Sequence, residues 1–327
     1  MKSVLIFCSI AFALFNSTLS YCADEVTQPS NEIKVINTTP AFWQFWDAAQ
    51  GKSDQERAQL FFKLVVNAYP ELYGAGVIGN NTLSGKQDDK AENDSVMKYL
   101  TNVQSYIPRM KIISNDIARD FDTYAKDFTL TFPKYAPHTN IYFMVSLFGF
   151  DGGTRTINNK TALLFGIDGI ARYHPEGESL KVFFDHELFH QYHDQIAPDL
   201  TDDDAPIWAQ LWEEGLATYI SQQMNAGSTE AQVLMSPTMS AATKPILKKI
   251  AQELVDNADS KDKNEYAAFF YGSNGRADLP PRCGYYVGYK IAQQIGQKYT
   301  VQQLAELRGS ELRTAVLDVL KQLAAGS

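Results

Sequence analysis

The sequence predicts an α+β protein, mostly helical with a small mixed sheet. Three observations predict it: helix-start signals followed by apolar residues at helical spacing in the first third, two short β-branched and aromatic runs between residues 139 and 167, and helical signals from Glu178 to the end. The 327 residues are 45% hydrophobic and 20% charged, the composition of a water-soluble globular protein with a sizeable core. No Gly/Ser- or Pro-rich linker divides the chain, and no repeat of fixed period runs through it. The expected organisation is a leader over 1–22, a helical part over 23–138 and a part over 139–327 that carries the candidate site, the last two forming one compact unit.

The chain starts with Lys2, then the apolar run Val4 to Phe15, then polar Ser17, Thr18 and Ser20. That is the layout of a secretory signal peptide, and the run is too short for a membrane span. The mature protein is therefore expected to be exported, periplasmic or secreted, with no transmembrane span. Lipid anchoring at Cys22 is the lesser alternative, because bulky Tyr21 stands where a small residue is needed. With Cys8 in the leader and Cys22 at the cut, Cys283 alone belongs to the mature chain, so this is no disulfide scaffold. A net charge of -9 with scattered Lys and Arg excludes nucleic acid as an expected partner, since phosphate-backbone binding draws on clustered basic residues.

Ser53-Asp54-Gln55-Glu56 is a capping box, and Leu60, Phe61, Leu64 and Val65 continue that helix toward Pro70. Residues 74–95, rich in Gly and Asn and then charged, read as a surface loop, and 95–126 as further helix. Asn140 to Leu147 and Thr161 to Ile167 read as two strands, with Gly152-Gly153-Thr154-Arg155 as a hairpin turn bordering a cleft. The strand 161–167 is the expected edge strand lining that cleft. Gly309-Ser310-Glu311 ends one helix and caps the last.

The chemistry concentrates at His186-Glu187-Leu188-Phe189-His190. Histidines four apart on a helix project from nearly one face, and Glu187 lies about a quarter-turn away. Phe184, Leu188 and Tyr192 fall opposite the histidines, while Val182 and Phe183 flank them, so both sides are apolar and the helix is expected to be buried. Catalytic zinc takes three protein ligands and one open position. A third donor is available on the next helix, Ile207 to Tyr219, capped by Asp204, where Glu214 shares a face with Ile207, Leu211 and Thr218. Glu213, one residue round, faces solvent or supports a ligand, and Asp194 is either a partner for a ligand imidazole or a plain surface carboxylate. His193 is either in touch with substrate or a solvent-facing or hydrogen-bonded histidine. The tryptophans at 43, 46, 208 and 212 read as core, and Asp202-Asp203-Asp204 as a solvated loop rather than a calcium site.

HExxH on one helix followed by Trp212-Glu213-Glu214-Gly215-Leu216-Ala217 on the next resembles the gluzincin metallopeptidases over roughly residues 140–222. The metzincin pattern needs Gly at 193 and His at 196, where this chain has His193 and Ile196. The gluzincin resemblance implies one catalytic Zn2+ on His186, His190 and Glu214, Glu187 as general base, and peptide or protein substrates. It also implies a downstream Tyr or His holding the oxyanion, for which Tyr285 and Tyr286 are the candidates, with Arg282 binding a substrate carboxylate or the oxyanion. The alternatives are a zinc-stabilised binding or scaffold protein without catalysis, and a hydrolase of non-peptide amides or esters.

Overall fold

The computed structural model describes residues 34–326 apart from positions 80, 81, 87, 88, 138, 178, 203, 273 and 274, so the leader 1–22 and Cys22 lie outside the described residues. The architecture is α+β, with a four-stranded mixed sheet among many helices. No helix among the described residues is long and apolar enough to cross a membrane.

The described chain opens with β1 (Val35–Asn37), a three-residue strand too short for any periodicity to predict. Then come α1 (Thr39–Ala48) and α2 (Asp54–Phe61), the latter started by the Ser53/Glu56 capping box and running on into a π-helical turn over Phe62–Val66. The region 74–95, expected as plain loop, holds the helical turn α3 (Ala75–Ile78) and the first residues of the next helix. The helix expected over 95–126 is two: α4 (Lys90–Asn102), capped by Asp89, and α5 (Ile107–Thr131). Pro108 causes the break, since its ring is tolerated in a first turn but not in a helix interior.

Strands β2 (Asn140–Met144), β3 (Gly152–Ile157) and β4 (Lys160–Gly166) complete a sheet of order β1-β2-β4-β3. β1/β2 and β2/β4 are parallel, with Val35 opposite Ile141 and Tyr142 opposite Leu164; β3/β4 is antiparallel, with Gly152 opposite Phe165. Two expectations are corrected here. Gly152 to Arg155 is strand, not turn: the turn is Asn158-Asn159, both at positive φ (50° and 62°), the two-residue geometry that matches the twist of a hairpin. Consequently β4 is interior, and β3 is the edge strand on that side of the sheet, as β1 is on the other. Interior β4 is continuously buried from Ala162 onward, as a strand covered on both faces must be.

The helices that follow are α6 (Ile167–Tyr173), α7 (Leu180–Ile196), α8 (Ile207–Met224), α9 (Glu230–Val233), α10 (Met239–Thr243), α11 (Leu247–Asp256), α12 (Lys263–Phe270), α13 (Cys283–Gly296), α14 (Val301–Ala305) and α15 (Gly309–Ala325). An aromatic cluster binds α5 and α7 to the sheet: Phe121 meets Phe143 and Phe184 at 5.0 and 5.2 Å between ring centroids, and Phe165 meets Phe184 at 4.7 Å. Asp204 does not cap α8. It pairs with Lys263 at 3.0 Å, and Pro206 is the N-cap residue with no side-chain hydrogen bond. Trp208 and Trp212 are buried, and Trp43 and Trp46 pack against the core.

Candidate active site

Helix α7 is buried on nearly every side, which its mixed apolar faces required, and it carries His186 and His190 one turn apart toward α8. Glu214 faces them from α8. The two Nε2 atoms lie 3.0 Å apart, and Oε2 of Glu214 is 3.5 Å from that of His186 and 3.3 Å from that of His190. Donors bound tetrahedrally to one zinc at its usual bond lengths stand about 3.4 Å from one another, so these separations match a zinc ligand set without rearrangement. Oε2 of Glu214 is buried with no hydrogen-bond partner, which leaves its lone pairs aimed at the point between the imidazoles. Among the described residues these three are the group whose ligand atoms converge for a metal ion.

The electrostatics are those of a cation site. Burial opposes charge on His190, but Glu214 and Glu213 outweigh it and raise its pKa well above the ordinary imidazole value. Burial likewise resists ionisation of Glu214, and His190 and His186 hold its carboxyl well below the usual range. His186 is pulled down to about 4, chiefly by burial.

Glu213 supports this set, with Oε1 3.4 Å from Nδ1 of His190, the atom a metal-bound imidazole commonly directs to a carboxylate. Asp194 does not take that place: it accepts a hydrogen bond from Thr201 at 2.9 Å on the surface. His193 is fully buried, stacks on Phe189 at 5.3 Å and lines no part of the cleft, which removes it from substrate contact. Of the two tyrosines, Tyr285 reaches the site, donating to Oε1 of Glu214 at 2.8 Å with its ring stacked 6.4 Å from that of His186. Tyr286 is turned away into a small cluster with Val182, Val233, Leu234, Met239 and Tyr289. Arg282, at φ 58° just before α13, lays its guanidinium 4.3 Å over the Tyr285 ring and lines the cleft.

Close backbone approach sets these positions. A Cβ on Gly215 would stand 2.1 Å from the carbonyl carbon of Gly288, and one on Gly288 2.2 Å from the Leu211 oxygen, so α8 and α13 touch through two glycines beside Glu214 and Tyr285. On the other wall, a Cβ on Gly152 would meet Phe183 at 2.5 Å and Oε1 of Glu187 at 3.1 Å. The edge strand β3 thus presses against the Glu187 carboxyl, whose pKa burial raises to about 7.

The cleft over these groups has a volume of about 980 Å3. Its lining includes residues that reading the sequence missed. Asp151 precedes β3 and takes a hydrogen bond at 2.9 Å from His174; burial resists its charge, but His174 and Arg282 hold its carboxyl below the usual range. Arg155, on β3, and Arg172, near the end of α6, also line the cleft. The signal for β3 was present in the alternation Thr154-Arg155-Thr156-Ile157 before Asn158-Asn159, but the glycine pair hid it. His174 and Arg172 carried no signal, being brought in by the tertiary fold.

No curated protein and no solved structure matches the chain. A family match covers residues 58–311, most of the chain and every residue of the site just described. The protein therefore belongs to the family described as "Putative zinc dependent peptidase (DUF5700)".

Proposed function

We propose that the protein is an exported zinc metallopeptidase of the gluzincin type, hydrolysing peptide bonds with His186, His190 and Glu214 as the ligands of one catalytic zinc. The observation that carries this reading is the convergence of the three donor atoms 3.0 to 3.5 Å apart, with Glu187 one residue along the same helix facing the open cleft. Zinc so held supplies a Lewis acid for the scissile carbonyl and lowers the pKa of its water.

The chain's own residues do the remainder. Glu187 accepts the water's proton and returns it to the leaving amine, a role suited to a carboxyl whose pKa lies near 7. Arg282, which lines the cleft beside Tyr285, donates to the developing oxyanion, while the Tyr285 hydroxyl steadies Glu214. The free edge of β3 offers backbone groups to an extended peptide. Export rests on the basic start and apolar run at residues 2–15.

The test is metal content and cleavage of a mixed peptide library, read by mass spectrometry, for the full protein and two variants. Wild type should bind one zinc and cleave. Glu187→Gln should keep zinc and lose cleavage by at least about 100-fold, and Glu214→Ala should lose zinc. Absence of bound metal overturns the reading. Bound zinc with no cleavage, or with cleavage indifferent to Glu187→Gln, replaces it with a metal-stabilised binding protein.

A further inference from the structure

Resting on the peptidase reading, we propose that the cleft selects substrates bearing a carboxylate, recognised by Arg155 and Arg172. The charges lining the cleft are unequally partnered. Three of its acids are engaged: Glu213 and Glu214 lie against the histidines, and Asp151 holds His174. Arg155 and Arg172 are not. Among the described residues neither Arg155 nor Arg172 has a carboxylate partner, whereas Arg57, Arg119, Arg276 and Arg313 outside the cleft each have one. In a chain of net charge -9, these two guanidinium groups lie in the cleft without a carboxylate at ion-pair distance, which leaves them open to one on a substrate.

Their geometry is prepared for a ligand. Arg155 lies 5.1 Å over the Phe150 ring and donates to the Thr154 carbonyl at 2.8 Å, while Arg172 lies 4.9 Å over Phe148 and 5.4 Å over Tyr173. An aromatic face beneath a guanidinium holds it in place without occupying its N–H groups, which can then grip a carboxylate with two parallel hydrogen bonds. Phe148 and Phe150 belong to one loop, and that loop is clasped from beneath. Buried Asp168 accepts from the backbone N–H of Ser146 and of Phe148, both at 2.7 Å, and Tyr173 donates to the Phe148 carbonyl at 2.8 Å. Both arginines therefore stand on a single held platform. Arg155 and Glu187 line the same cleft, so a carboxylate held by Arg155 belongs to a substrate that also spans the reacting centre. Either an Asp or Glu side chain near the cut or the substrate's own C-terminal carboxylate meets this requirement.

The experiment uses the zinc-loaded full chain and peptides sharing one cleavable core, with Glu, Gln or Lys at successive positions and the C-terminus free or amidated. The readouts are kcat/KM and, separately, binding of the same peptides to the Glu187→Gln protein. Peptides with a carboxylate in reach should exceed their neutral counterparts about tenfold in both, and the margin should shrink as salt is raised. Preference following internal Glu assigns the side chain, and preference following the free terminus assigns the C-terminal carboxylate. Arg155→Gln and Arg172→Gln should each narrow the margin, and Arg172→Glu should shift the ranking toward Lys peptides, a gain that misfolding cannot imitate. Equal cleavage of acidic and neutral peptides, or a ranking unmoved by Arg172→Glu, overturns the inference and leaves the peptidase reading intact. Selective binding of acidic peptides with no cleavage does the reverse, and neither binding nor cleavage overturns both.

Discussion

His193 sits fully buried with both ring nitrogens lacking a hydrogen-bond partner, and burial pulls its pKa down from 6.5 to about 3. The unfolded chain binds a proton there between those values and the folded protein does not, so this residue makes stability fall as pH drops through 6.5 toward 3. His193→Phe, which keeps a flat ring on Phe189, should remove that contribution. The variant should gain on wild type by about 1.4 kcal/mol for each pH unit below 6.5, read by urea denaturation at pH 7.5 and pH 5. A variant that loses stability equally at both pH values would show that the ring is held by contacts rather than tolerated uncharged. Tyr285 presents the opposite case, a polar group fully used. Its hydroxyl occupies Oε1 of Glu214 and leaves Oε2 for the ligand position. Tyr285→Phe should lower peptide cleavage or zinc affinity about 10- to 100-fold with little change in Tm, whereas Tyr286→Phe, remote in its own cluster, should do neither. The sequence left these adjacent tyrosines undecided because the rotation of a helix about its axis is set by what it packs against.

Two elements, α8 and α13, carry the third ligand and the tyrosine, and their separation is fixed by Gly215 against Gly288. A methyl group at either position points into backbone, which cannot yield as a side chain would. Gly288→Ala should therefore cost about 3 kcal/mol or more, read as a fall in Tm, and should reduce zinc affinity by moving Tyr285 off Glu214. Retained Tm and zinc affinity would mean the helices can slide apart without consequence. The helix α7 was legible in advance because the i, i+4 histidines and the surrounding apolar residues constrain one element alone. Strand β3 was not. Its glycine pair reads locally as a turn, and only the closeness of Phe183 and Glu187 gives Gly152 its reason.

At the scale of the molecule, residues from the front and back of the chain close on one another. β1 pairs with β2, Thr38 donates to the Phe143 carbonyl at 2.9 Å, Lys134 pairs with Glu306 at 2.6 Å, and α5 packs through Phe121 onto β2 and α7. Thermal unfolding of the full chain should then be a single transition, shifted upward by saturating zinc and downward by chelator, because an ion bound by the folded state alone stabilises it by mass action. Two transitions, or a Tm indifferent to zinc, would contradict this. The sequence by itself determined the fold class, the two-histidine helix and the presence of a carboxylate on the next helix, since each depends on spacing within a single element or on composition. Only the tertiary structure decided that β3 is an edge strand, that Tyr285 rather than Tyr286 meets Glu214, that Glu213 rather than Asp194 backs His190, and that Arg155 and Arg172 line one cleft. Those outcomes depend on which elements lie side by side and how closely, and that is set by packing between segments far apart in the chain.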